Sequence, residues 1–520
     1  VRSFADANGD GTGDIRGIQS RLSYLASLGV DAIWVNPWYV SPLRDGGYDV
    51  ADYRRIDPRY GTIEEAKRLI DEANDAGIRV LVDLVPNHTS WDHVWFKAAL
   101  AAAPGSRERD RFHFLPGKGE HGQLPPNNWR SVFGGPAWTR LPDGEWYLHM
   151  FDVSQPDLNW ENPEVREEFK DILRYWLDLG ASGFRVDVAH GLVKEAHYPD
   201  TAEEHLAVMA LPREGDPLWD RPELHDVVRE WRSVLDEYDD AVMIAEAWIP
   251  SWERLALYCR PDEYHQTFDF HFLKAPWDAD RMRATIEASL EGTGSVGSIP
   301  TWVLSNHDVV RHATRYGLSP GVDERAWLMS GDPGQLDAGL GLRRARAAAL
   351  LMLALPGSVY VYQGEELGLP EVFDLPEAVL DDPVWERSGH TDKGRDGCRV
   401  PIPWKRTGPS FGFGDNGSWL PQPEIWGELS VEAQDGVEGS TLELYRTAIA
   451  IRNQRLRVDE DLTWIDIGPG VLAFQRGSGL ACVVNFGSEA VPMPPGEVVL
   501  ASDAVGDSLP GNTAVWLDPA

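Results

Sequence analysis

The chain predicts an α/β fold built on a (β/α)8 TIM barrel, and three observations carry that reading. Short apolar runs bounded by polar residues alternate with amphipathic helical stretches, as parallel strands do when helices connect them. Counting one strand before the first loop, eight strand positions can be found, the number at which such a barrel closes. Three of the runs end on a carboxylate, in Gly183-Phe184-Arg185-Val186-Asp187, Ile244-Ala245-Glu246-Ala247-Trp248 and Leu304-Ser305-Asn306-His307-Asp308. Barrel strand ends converge on one face, so the three acids should share a pocket.

In chain order, Val1 to Phe4 reads as the tail of a first strand whose earlier residues lie outside the sequence. Residues 32–35 form the second, 63–76 a helix and 79–84 the third strand. From 91 to 155 the texture is rich in Pro, Gly, Asn and Trp without sustained helical periodicity, as in an irregular inserted subdomain. Alternation resumes with a helix over 163–179 and the strand ending at Asp187, then a helix over 222–235 and the strand ending at Glu246. A strand over 267–272, a helix over 279–290, the strand ending near Asp308, a helix over 342–355 and a strand over 359–362 complete the count. A loop-rich stretch and a last helix over 442–453 follow. Beyond about 457, short apolar runs punctuated by Gly and Pro predict an antiparallel β-domain. The division is thus 1–90 with 156–456 for the catalytic barrel, 91–155 for the insert and 457–520 for a C-terminal β-sandwich.

Composition narrows the function. A net charge of −35 disfavours nucleic acid and anionic membrane as partners. Three widely spaced cysteines, Cys259, Cys398 and Cys482, argue against a disulfide framework or a zinc cluster and favour a reducing, cytoplasmic setting. No apolar stretch approaches a membrane span in length. The 22 tryptophans supply core, and also flat faces of the kind that stack on sugar rings.

The loop Asp6-Ala7-Asn8-Gly9-Asp10-Gly11-Thr12-Gly13-Asp14 sets oxygen donors at alternate positions around glycines, the chemistry a hard cation such as Ca²⁺ requires. It is not an EF-hand, because Gly17 stands where the bidentate acid belongs. Arg185 lies two residues before Asp187, so strand alternation points both to one side, and a fixed cation keeps a nucleophilic carboxylate ionised. Glu246, between Ala245 and Trp248, has the apolar setting that raises a general acid. One acid charged and another protonated is the division of labour of glycoside cleavage.

Taken in order, Asp83 to His88, Gln155-Pro156-Asp157-Leu158-Asn159, Gly183 to Asp187, Ala245 to Trp248 and Asn306 to Asp308 resemble the α-amylase family of retaining glycoside hydrolases, in its α-glucosidase and oligo-1,6-glucosidase branch. The resemblance covers nearly the whole chain. It implies Asp187 as nucleophile, Glu246 as acid/base and Asp308 as the acid that engages sugar hydroxyls. It assigns Asp45, Tyr48, His88, Phe151, Gln155, Arg185, His307 and Arg399 to the terminal-glucose pocket, with Arg395 competing with Arg399. It also implies a structural Ca²⁺ on Asp6, Asn8, Asp10, the Thr12 carbonyl and Asp14.

The implied activity is exo-acting release of α-glucose from short oligosaccharides or disaccharides. The alternatives are oligo-1,6-glucosidase, and transglucosylase or sucrose isomerase on the same scaffold. A silent scaffold of the transporter heavy-chain kind is disfavoured because all three acids are kept. Val188, directly after the nucleophile, is the residue that in this branch accompanies tolerance of α-1,6 bonds, while the following Ala189-His190 departs from the common pattern. Oligomeric state is not visible in the sequence.

Overall fold

The structure, a computed structural model, describes residues 1–202, 213, 215–457 and 461–518. Seven parallel strands run side by side in chain order: Ala32–Val35, Arg79–Leu84, Gly183–Val186, Val242–Ala245, Gln266–Asp269, Thr301–Val303 and Ser358–Tyr360. Each takes its neighbour's register directly, as in Leu81 opposite Gly183 and Gly183 opposite Val242. Helices cover the outside, so the strands are buried on both faces and need no polar alternation. From Val80 to Leu84, for example, every residue is buried.

Among the described residues the sheet is a curled, open barrel of seven strands where eight were expected. Residues 1–4 form a turn, with the Phe4 N–H donating to the Val1 carbonyl at 3.2 Å. The carbonyls beside it are taken up elsewhere: Arg2 accepts from the Gly13 N–H and Ser3 from the Ile402 N–H. This segment therefore ties the first loop to the loop-rich stretch after the last strand.

A second expectation is corrected near residue 270. The strand stops at Asp269, whose carboxylate caps the helix Phe270–Lys274 by accepting from the His271 and Phe272 N–H groups. Such a side chain offers the backbone its hydrogen bonds outside the ladder and switches strand to helix. Other helices start on comparable signals. Thr62 and Glu65 form a reciprocal capping box on Ile63–Asp75, and Asn162 caps Pro163–Asp178 with proline at its first turn.

Within 91–155 there is more order than expected: a helix Val94–Ala101 and a three-stranded antiparallel sheet of Phe114–Pro116, Glu145–Leu148 and Trp138–Arg140. Trp129, Trp138, Leu148 and Met150 pack there against Val188 and Trp219. A buried ion pair, Lys194 Nζ to Asp157 Oδ2 at 3.0 Å, joins the end of this region to the loop after the Gly183–Val186 strand.

The C-terminal part is a five-stranded antiparallel sheet in the order Leu462–Ile465, Val471–Arg476, Ala481–Asn485, Thr513–Asp518, Glu497–Ala501. Residues 458–460 and 519–520 of the expected 457–520 domain lie outside the described residues. One face of the sheet lies on the helix Ala338–Ala354, where Trp516 Nε1 donates to the Leu350 carbonyl at 3.1 Å and Arg476 Nη1 to that of Ala354 at 2.5 Å. A two-stranded ribbon, Val491–Pro492 with Ser508–Leu509, packs on the other face. No helix of the described residues is long and apolar enough to cross a membrane.

Candidate active site

Asp187 and Glu246 are the first residues beyond their strands, and Asp308 lies five residues beyond Val303. The ladder carries over into them: the Asp187 N–H donates to the Leu84 carbonyl at 2.8 Å and the Glu246 N–H to that of Val186 at 2.9 Å. All three face one cavity of about 520 Å³, together with Asp45, Tyr48 and His307. Sequence-distant acids thus meet at the carboxyl end of the sheet, where this architecture places its chemistry.

Arg185 organises their charge. The residue is 1% exposed, and its Nη1 lies 2.6 Å from Asp187 Oδ1 and 3.0 Å from Asp83 Oδ1, while Nη2 is 3.7 Å from Glu246 Oε2. Burial raises the carboxyls of Asp187, Asp83 and Glu246, with Asp83 pushed to about 6, and Arg185 works against the rise in all three. Acids this close titrate as a unit. The 2.6 Å contact is that of a charge-assisted pair, which leaves the proton to the others.

For Glu246, burial and the neighbouring Asp308 both favour the protonated acid. Its Oε2 accepts from the Val188 N–H at 2.8 Å. That donor is aimed by a backbone at φ 46°, a left-handed conformation rare for a β-branched residue. Asp308 goes the other way. Burial works to raise it, but the positive charges of Arg395 and Arg399 hold it below the ordinary carboxylate range.

The residues expected around a terminal glucose fall into two layers. Asp45, Tyr48, Phe151, His307 and Arg395 face the cavity. Tyr48 and His307 stack with centroids 5.4 Å apart and planes 5° from parallel, and burial pushes His307 down to about 3, so it is neutral. His88, Gln155, Arg185 and Arg399 hold that layer from behind. His88 Nε2 lies 3.1 Å from the Tyr48 carbonyl, Gln155 Nε2 donates to Asp45 Oδ2 at 2.9 Å, and Arg399 Nε donates to the His307 carbonyl at 2.9 Å.

Of the two competing arginines, Arg395 faces the cavity and Arg399 stands behind it. Each lies 3.1 Å from Asp308 Oδ1, and Arg395 also reaches Asp45 Oδ1 at 2.7 Å and Asp382 Oδ2 at 2.6 Å. Sequence reasoning missed Asp83 as the anchor of Arg185 and Tyr48, whose hydroxyl donates to Asp83 Oδ2 at 2.9 Å. The signal available was an acid closing the Arg79–Leu84 strand, one turn before His88.

In the Asp6–Asp14 loop the oxygens are turned on the backbone. Asp6 accepts from the N–H groups of Gly9 and Gly11, Asn8 from that of Asp10, Asp10 from that of Thr12, and Asp14 from those of Ala7, Asn8 and Gly17. Among the described residues no group of three His, Cys, Asp or Glu side chains is placed to hold a metal ion. The donor chemistry suits a hard cation, but as arranged these carboxylates do not converge on one point.

The alpha-amylase catalytic domain model matches residues 1–461, and a domain of unknown function, DUF3459, matches residues 461–516. A probable alpha-glucosidase of Rhizobium meliloti (strain 1021) is 35% identical over 516 residues, covering 94% of this chain and 88% of that protein. An oligo-1,6-glucosidase of Parageobacillus thermoglucosidasius is 33% identical over 495 residues, covering 87% and 82%. The solved trehalulose synthase MutB from Pseudomonas mesoacidophila MX-45 superposes with a TM-score of 0.83 at 30% identity, covering 100% of this chain and 96% of that one.

Proposed function

The chain belongs to the α-amylase family, and on that premise we propose that it is an exo-acting, retaining α-glucosidase that releases α-glucose from the non-reducing end of short α-gluco-oligosaccharides or disaccharides. The observation that carries this is a single guanidinium, Arg185, touching both Asp187 and Glu246 at the wall of one cavity. Two carboxyls on one guanidinium, one charge-paired and one biased toward its protonated form, supply the nucleophile and the general acid that double displacement uses.

Glu246 would give its proton to the glycosidic oxygen while an Asp187 carboxylate oxygen bonds the anomeric carbon and the bond to the aglycone breaks. Water, losing a proton to Glu246, then displaces Asp187 and restores both acids. Asp308, kept ionised by the two arginines, would bind the ring hydroxyls beside the reacting carbon, with Asp45 and Arg395 closing the pocket beyond the non-reducing end.

The test is hydrolysis of maltose, isomaltose, sucrose and trehalose with product anomers followed by NMR. Release of α-glucose from at least one is expected, and inactivity on all four ends the proposal. Val188 beside the nucleophile keeps the oligo-1,6-glucosidase reading in view, and the isomaltose arm decides it. The likeness to a trehalulose synthase favours a second reading, transglucosylation or sucrose isomerisation on the same residues. Products made from concentrated sucrose would separate the two.

For the first loop we propose a structural Ca²⁺, supported by five oxygen donors in sequence. Binding would require the side chains to exchange backbone amides for the ion. A melting temperature that falls in chelator and returns with added Ca²⁺ is the expected result, and an unchanged one counts against the site.

A further inference from the structure

Part of the cavity wall is made where two segments distant in sequence come together. Phe133 and Phe151 are supplied by the insert, Val384 and Arg395 by the loop-rich stretch after the last strand, with Asp45 beside them. The two segments meet at Arg395, whose guanidinium lies over the Phe133 ring, 5.1 Å from its centroid, and reaches Asp45 Oδ1 at 2.7 Å.

The loop side of this wall is folded into a clasp. Asp382 caps the short helix Pro383–Arg387 by accepting from the Val384 N–H at 2.9 Å, and its other oxygen accepts from Arg395 Nε at 2.6 Å. Val384 and Arg387, three positions apart, lie on one face of that helix. Val384 lines the cavity, and Arg387 reaches the insert. Its Nη1 lies 3.3 Å from Asp152 Oδ1, and its Nη2 donates to the Gly134 carbonyl at 2.5 Å. Both partners adjoin a lining aromatic, since Gly134 follows Phe133 and Asp152 follows Phe151.

From Asp152 the grip continues inward. Its Oδ2 accepts from the Ser154 N–H at 2.9 Å and the Ser154 hydroxyl at 2.6 Å, which leaves Oδ1 to Arg387. The Asp152 N–H donates to Gln155 Oε1 at 2.9 Å, so the Gln155 amide is turned with Nε2 toward Asp45 Oδ2, again at 2.9 Å. Asp45 is thereby held on both oxygens, by Gln155 from the insert and by Arg395 from the clasp.

We propose that Arg387 is a positioning residue for sugar binding. By joining the insert to the clasp it fixes Asp152, hence Gln155 and Asp45, and so sets the affinity of the cavity for a terminal glucose. This rests on the α-glucosidase reading above. A purely structural pair would behave differently. Both side chains are 16% exposed, and ion pairs at such places typically add little to stability, so their loss would be felt weakly everywhere. A positioning role concentrates the loss in binding.

The test measures kcat and KM on p-nitrophenyl α-D-glucopyranoside, and the inhibition constant of glucose, in the wild type, Arg387→Met, Asp152→Asn and the double variant. Methionine keeps an apolar stem and drops the guanidinium, while asparagine turns an amide toward it. Each single substitution should raise both KM and the glucose inhibition constant by about fivefold to tenfold, the scale of one charge-assisted hydrogen bond. The double variant should be no worse than the worse single one, because both substitutions remove the same contact. Neither constant depends on the concentration of active enzyme, so partial misfolding, which lowers apparent kcat, does not imitate the effect. A glucose inhibition constant within about twofold of wild type in Arg387→Met, or losses that multiply in the double variant, overturns the inference while leaving the glucosidase reading intact. A wild-type protein that neither cleaves the glucoside nor binds glucose overturns both.

Discussion

Val188 at the barrel mouth and Asn512 in the C-terminal sheet share a left-handed backbone, at φ 46° and φ 58°, and differ in everything around it. Asn512 is of a type that tolerates this conformation, and its Oδ1 accepts from Trp277 Nε1 at 2.9 Å and Arg344 Nε at 2.8 Å, fastening the sheet to the barrel. Val188 is β-branched and gains no such dock. Its N–H instead serves the Glu246 carboxyl. The mouth carries strain and buried charge where the chemistry is. The C-terminal region spends ordinary residues on ordinary packing, as its Val483, Trp516 and Leu517 interior shows.

The contrast predicts that the two regions fail in different ways. Asp187→Asn or Glu246→Gln should lower kcat by roughly 10³-fold or more while the melting temperature holds or rises, because each removes a buried charge or proton conflict. Kinetics beside thermal melts check this, and a collapse of the fold in either variant would erase the distinction. Trp516→Ala should do the reverse. The indole is fully buried against the Ala338–Ala354 helix, so stability should drop by about 3–5 kcal/mol, with turnover per folded molecule unchanged in denaturant titrations followed by assay.

A smaller effect sharpens the point about strain. Val188→Gly relieves the left-handed valine but empties a buried position packed on Trp129 and Trp219 and loosens the unfolded chain, so it should destabilise the fold by about 1–2 kcal/mol net and slow catalysis, since the donor to Glu246 becomes free to wander. Asn512→Gly should gain nothing.

Smallest, and away from both regions, is Glu365. Burial raises its carboxyl from 4.5 to about 8, with the Tyr445 hydroxyl donating at 2.9 Å. An acid raised on folding holds more protons folded than unfolded, so its contribution fades as pH climbs from about 4.5 through 8. Glu365→Gln should flatten that decline and raise stability at pH 8 by on the order of 1 kcal/mol, read from melting temperatures across that range.

Much of this molecule was legible because its main strands are buried on both faces and so appear as bare apolar runs, and because the acids mark their ends. What escaped was set by partners far along the chain. Helix Val94–Ala101 has apolar residues on adjacent positions, so it lacks the one-sided stripe by which helices are recognised. Asp269 looked like strand interior until its carboxylate was seen capping the next helix. The grip of Arg395 on Asp45 spans 350 positions, and no local pattern encodes it.

That long reach has a consequence for the protein as it is made. Asp187, Glu246 and Asp308 leave the ribosome one after another, yet the two cations that tune Asp308 come from residues 395 and 399. A growing polypeptide therefore lacks the cations that hold Asp308 ionised until residues 395 and 399 have emerged, so the charge balance of the cavity is completed only after all three acids have been made.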